Sequence, residues 1–197
     1  LSLWAGRHSG VADALLLNSP WLELQLSSVA RKALAPVVGI RAKLSPHVVA
    51  LPQIDLGFYW QALRECCSED EFSIINHAWR LEKSPIVRAG WLSTVLEGHT
   101  TINAGIDVTV PVCVLLSARS HFGLNWDDAM LRADTVLEVD GVAKSALKLG
   151  SSVTVERVDG ALHERADERQ AVGACASTTA SVRLPRRYRS TCLSMMS

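Results

Sequence analysis

Eight residues in the middle of the chain, Val110-Pro111-Val112-Cys113-Val114-Leu115-Leu116-Ser117, carry no charge at all. A short apolar run bounded by turn-forming residues reads as a β-strand buried inside a sheet. A second run, residues 11–18 (Val-Ala-Asp-Ala-Leu-Leu-Leu-Asn), reads as a strand buried on both faces, the pattern of parallel sheets covered by helices. It stops at Ser19-Pro20-Trp21, because proline cannot continue a central strand. A third segment, residues 152–158, alternates apolar and polar positions as a strand towards the sheet edge would. Between them the spacing predicts helices over residues 1–5 and 139–149, the latter stopped by Gly150. Helices alternating with buried strands place the chain in the α/β class, with a mostly parallel sheet.

Residues 28–100 interrupt that alternation. They are rich in tryptophan and proline and read as mainly helical. Helical spacing of Val29, Ala33, Leu34, Val37 and Val38 predicts a helix over residues 27–40, kinked or restarted at Pro36. Pro46 and Pro52 bracket a short extended piece at 48–51, and Asp55 is placed to cap a helix running to Cys66. After Pro85 a further helix is expected over residues 86–96. A helical insertion of this kind, above the carboxyl ends of the strands, has the form of a cap. Four parts follow: residues 1–27, a helix and a core strand; 28–100, the cap; 101–164, the remainder of the core; and 165–197. The last part holds Arg165, Arg169, Arg183, Arg186, Arg187 and Arg189 with no sustained apolar period. It reads as a disordered tail or as a non-native, frameshifted end.

Composition narrows the function classes. Twenty basic residues balance twenty acidic ones, so nothing global draws the chain to nucleic acid. No stretch of about 18 apolar residues suggests an integral membrane segment, and no signal peptide is visible. The five cysteines have no metal-ligand spacing, their number is odd, and Cys66 and Cys67 are adjacent. A reducing, cytoplasmic setting is expected, with no metal and no cofactor.

Two residues stand out chemically. Asp134 follows the 110–117 strand, and His163 follows the 152–158 strand inside Asp159-Gly160-Ala161-Leu162-His163. An acid and then a histidine on successive loops at one edge of a sheet is an arrangement for general base chemistry. Asp127, Asp128 and Asp140 compete with Asp134 for the acid. His121 either approaches the site or packs as a loop residue under the cap. Tyr59, Trp60 and Trp91, with Phe58 and Trp79, either line an apolar pocket or pack the cap internally. The arginines at 183–189 either meet an anionic surface or are simply solvated. Gly6-Arg7-His8-Ser9-Gly10 does not have the G-x-S-x-G spacing of a serine nucleophile, and Ser2 lacks flanking glycines.

In these pieces taken together the chain resembles the α/β-hydrolase superfamily, in particular actinobacterial-type members of the serine lysophospholipase and monoacylglycerol-lipase group. The residues that carry the resemblance are 11–22, Arg88-Ala89-Gly90-Trp91-Leu92, 110–122, Ala133-Asp134-Thr135-Val136-Leu137 and 159–163. The resemblance implies the C-terminal portion of an α/β-hydrolase fold with an inserted helical cap, and Ser–Asp–His hydrolysis of a carboxylic ester of the lysophospholipid or monoacylglycerol type. It casts Asp134 as the acid and His163 as the base, and allows peripheral lipid contact through the cap. Leu1–Trp4 resembles the helix after the nucleophile, so the serine is expected upstream of Leu1 in an N-terminally truncated chain that is inactive by itself. Two alternatives remain: a non-catalytic relic of a decayed gene, and a binding module that retains the pocket.

Overall fold

The structure, a computed structural model, describes residues 1–26, 28–51, 55–73, 75–76 and 83–163. The expected tail after residue 165, the arginines at 183–189 and Trp79 lie outside the described residues. The fold is mixed α/β. In chain order come α1 (Ser2–Arg7), β1 (Leu15–Asn18), α2 (Ser28–Leu44), α3 (Phe58–Cys66), α4 (Glu69–Ser73), α5 (Ala89–Ala104), β2 (Val112–Ser117), a 3-10 turn (Asp128–Arg132), α6 (Val139–Ala146) and β3 (Val153–Val158). The three strands form a small open sheet in the order β1-β2-β3, all parallel. Leu15 lies opposite Val112, and Ser117 opposite Val158.

The uncharged run becomes the central strand because only that place hides both of its faces. Every residue of β2 is buried. Val112, Val114 and Leu116 join Leu15 and Leu17 of β1, Ile102 of α5 and Val142 and Ala146 of α6 in one core cluster. Full burial of each such side chain stabilises the fold by about 1.5–3 kcal/mol. β1 differs from the expectation of a strand covered on both faces. It pairs with β2 alone among the described residues, and Leu16 on its other face is 39% exposed.

Gly150 does not stop a helix. α6 ends at Ala146, and Gly150 instead bridges Val108 in parallel register just before β3. A Cβ at Gly150 would sit 2.3 Å from the Val108 carbonyl oxygen, so a side chain there would force two backbones apart.

In the inserted region α2 packs along α5. Val38, Leu92 and Leu96 form a buried cluster with Leu34, Ala35 and Val87 against it. Pro36 lies inside α2 and removes one helical hydrogen bond, a cost of about 3 kcal/mol that this packing offsets. α5 starts three residues later than the spacing predicts and continues to Ala104, because Leu96, His99 and Ile102 extend its buried stripe. The extended piece at 48–51 is real but brief, a single antiparallel bridge between Val49 and Arg88. Asp55 does not cap α3, whose cap is Gly57 at φ 72°. Its carboxylate accepts from the Gly57 and Ser84 N–H groups at 2.8 and 2.6 Å. Burial alone would raise the Asp55 pKa, but hydrogen bonds from Ser84 and Gly57 and the charge of Lys83 outweigh it and hold the carboxyl below its ordinary value.

Candidate active site

β2 and β3 are neighbours and parallel, so their carboxyl ends open at the same edge and their following loops share one space. The loop after β2 carries Arg119, Ser120 and His121. It then leaves the sheet through the 3-10 turn and returns. On its return the backbone of Asp134 pairs with that of Ser120: the Asp134 N–H donates to the Arg119 carbonyl, and the His121 N–H to the Asp134 carbonyl, both at 2.9 Å. Asp134 is 17 positions past Ser117 in sequence, yet the bridge sets it against Ser120, just beyond the strand end. Ser120 secures the same turn. Its hydroxyl donates to the Leu137 carbonyl at 2.6 Å and accepts from the Val139 N–H at 2.9 Å, which fixes the start of α6.

The Asp134 side chain is fully buried, at 0% exposure. A buried carboxylate must be saturated with donors, and this one is. Oδ1 accepts from the N–H groups of Val136 and Leu137, both at 2.7 Å. Oδ2 stands 2.9 Å from Nδ1 of His163. Bonded to a carboxylate, Nδ1 carries the ring proton and Nε2 is the basic nitrogen. The His163 side chain is 13% exposed, so the ring is confined without being sealed.

His163 reaches this position through a turn after β3 in which Gly160 adopts φ 71°, a left-handed conformation that a larger residue would resist. Arg119 and Asp159, both exposed, form an ion pair that ties the loop after β2 to the loop after β3. The imidazole meets the edge of Tyr59 from α3, with ring centroids 5.6 Å apart and planes at 83°. One residue earlier, Phe58 meets Trp126 of the loop after β2, edge to face at 6.0 Å. The first turn of α3 is thereby seated over the acid–histidine pair.

The other expected residues divide. Trp60 turns away from the pair and packs on Phe72. Trp91 is half-exposed and stacks on Trp21 at 5.7 Å, in a cluster with His99 rather than with His163. His121 contributes its backbone to the Asp134 bridge, while its ring faces Asp127 at 3.4 Å. Asp127 also caps the 3-10 turn through the Ala129 N–H, and Asp140 pairs with Arg157. Of the four aspartates weighed as the acid, Asp134 is the one bonded to His163. The parts that sequence reasoning missed are Ser120, Arg119 and Asp159, which act through loop positions that carry no periodic signal.

A cavity of about 600 Å³ lies beside these loops, with Leu24, Leu26, Phe122, Glu138 and the Glu23–Arg31 pair among its lining. Neither Asp134 nor His163 lines it. No group of three or more histidines, cysteines or carboxylates able to hold a metal ion occurs among the described residues. None of their helices is long and apolar enough to cross a membrane. No known family's sequence model matches the chain, and no curated protein sequence matches it significantly.

Proposed function

We propose that Asp134 and His163 are the acid and base of an α/β-hydrolase-type site, and that the activity they serve is hydrolysis of a carboxylic ester of the lysophospholipid or monoacylglycerol type. The observation that carries the reading is the 2.9 Å contact between His163 Nδ1 and a fully buried, otherwise saturated carboxylate. A buried carboxylate that holds one nitrogen of the ring orients the other for proton transfer, which is what general base chemistry needs.

In this mechanism Nε2 of His163 takes the proton of an attacking hydroxyl and later returns it to the leaving alcohol. Asp134 holds the ring in the right tautomer and stabilises the imidazolium formed on the way. Neither Ser2 nor Ser9 has the turn that a serine nucleophile requires, so neither is assigned as the attacking hydroxyl. The cavity of about 600 Å³ has the size of a small-molecule site, and Leu24, Leu26 and Phe122 suit an acyl chain. Because the cavity does not involve the pair, a binding module without catalysis is the second reading.

A fluorophosphonate probe, which labels activated serines, separates them. The chain of 197 residues is expected to remain unlabelled. A variant with a G-x-S-x-G turn engineered ahead of α1 is expected to be labelled and to hydrolyse short-chain esters, and His163→Gln is expected to abolish both. Labelling of the present chain at Ser2 or Ser9 would overturn the exclusion of those serines. An engineered variant that takes no label would overturn the hydrolytic reading.

A further inference from the structure

α2 carries a feature that its packing against α5 does not use. Val38 is buried and Leu34 and Ala35 are packed on α5, which defines the inward face. On the outward face Val37, Ile40 and Leu44 are 63%, 63% and 80% exposed. Their spacing of three and four residues aligns them in one stripe along the helix. Ala33 and Pro36 continue the stripe towards the amino end, and both are exposed. Three large aliphatic side chains in a row, each more than half in water, form a contiguous apolar surface rather than scattered exceptions.

The charges of the same helix all have one sign. α2 holds Arg31, Lys32, Arg41 and Lys43 and no aspartate or glutamate. Arg31 turns to Glu23 and to the carbonyls of Leu24 and Leu26, which leaves three exposed basic residues for the outer surface. At 100° per residue, Arg41 falls on one flank of the stripe, and Lys32 and Lys43 on the other. Arg88 adds a fourth positive charge at the carboxyl end, where its guanidinium donates to the His47 carbonyl. The chain as a whole has no net charge, so this basic rim is a local arrangement.

We propose that the outer face of α2 is a docking surface for an anionic lipid bilayer. The helix lies in the interface with Val37, Ile40 and Leu44 among the acyl chains, and Lys32, Arg41, Lys43 and Arg88 at the level of the phosphates. Charge complementarity selects this occupant: an apolar stripe rimmed on both flanks by cations, on a helix free of acids, is the pattern that binds anionic interfaces. A second copy of the chain would bring like-charged rims together. The inference does not depend on the hydrolytic reading, because the stripe is remote in sequence from Asp134 and His163 and its test needs no activity.

The test is cosedimentation of the full chain with vesicles of phosphatidylglycerol and phosphatidylcholine, and with vesicles of phosphatidylcholine alone. Binding to the anionic vesicles is expected, weakened by high salt. The triple variant Val37→Ser/Ile40→Ser/Leu44→Ser is expected to lower that binding by about tenfold or more, because lost apolar insertion and retained charge leave only a weak electrostatic association. The variant Lys32→Gln/Arg41→Gln/Lys43→Gln is expected to lose the preference for anionic over zwitterionic vesicles. All six side chains are exposed, so circular dichroism should show both variants folded; Leu44→Ser alone serves if the triple variant does not fold. Unchanged binding of the stripe variants, or no binding of the parent chain to anionic vesicles, overturns the proposal. So does sedimentation velocity showing a lipid-free dimer that the stripe variant dissociates.

Discussion

Replacing Asp134 by alanine and by asparagine dissects the buried pair. Alanine removes the acceptor of three donors: the Val136 and Leu137 N–H groups at 2.7 Å and Nδ1–H of His163 at 2.9 Å. Val136 is partly exposed and water can serve its N–H, but Leu137 is 2% exposed and its N–H would be stranded. A stranded buried donor costs about 1–3 kcal/mol, and breaking a buried charged pair about 3–5 kcal/mol in all. A loss of roughly 4 kcal/mol is therefore expected for Asp134→Ala, a large share of the 5–15 kcal/mol typical of a folded domain. Asparagine keeps Oδ1 for both backbone donors and sets an NH2 group against Nδ1, so the ring must change tautomer. About 1–2 kcal/mol is expected for Asp134→Asn, the loss of one charge-assisted hydrogen bond. Urea denaturation followed by circular dichroism measures both. A cost below about 1 kcal/mol for alanine, or equal costs for the two variants, would refute the view that one carboxylate organises the loop and the histidine together.

Two further perturbations probe the scaffold. His99 is buried, and burial pushes its pKa below the ordinary histidine value, against a raising hydrogen bond to the Trp21 carbonyl and the charge of Glu23. The unfolded chain then takes up a proton at a higher pH than the folded one does. The stability is fully present above the ordinary histidine pKa and is lost as pH falls from there towards the folded value; a thermal midpoint that falls in this window in the parent chain and not in His99→Gln is the expected result. Gly150→Ala should destabilise by about 1–3 kcal/mol in the same denaturation assay, since its Cβ would meet the Val108 carbonyl at 2.3 Å; an unchanged midpoint would contradict the close approach.

The architecture was legible in the sequence where burial is uniform. Residues 112–117 have no charge to place in water, and nothing but the centre of a sheet accommodates them. Asp134 and His163 were legible because each follows a strand and the two strands adjoin. The reach of Asp134 was not, because it depends on the loop after the 3-10 turn folding back to bridge Ser120, and a single backbone pairing leaves no periodic trace. Gly150 looked like a helix stop because a glycine that ends a helix and one that admits a neighbouring backbone are alike in sequence. Tyr59, Trp60 and Trp91 looked equivalent as aromatics. Rotation about α3 sends Tyr59 to His163 and Trp60 to Phe72, while Trp91 lies on α5 beside Trp21. The helical spacing around Pro36 marked α2 as a helix but not which of its apolar residues meet α5: Val38 is buried and Val37 is exposed.

The account rests on one hydrogen bond, and nitrogen–proton correlation NMR of the imidazole rings observes it directly. For His163 the expected spectrum has the proton on Nδ1, shifted far downfield by its carboxylate acceptor and slow to exchange, and Asp134→Asn abolishes that signal. A ring that carries its proton on Nε2, or a spectrum that Asp134→Asn leaves unchanged, would contradict the pairing on which the proposed function depends.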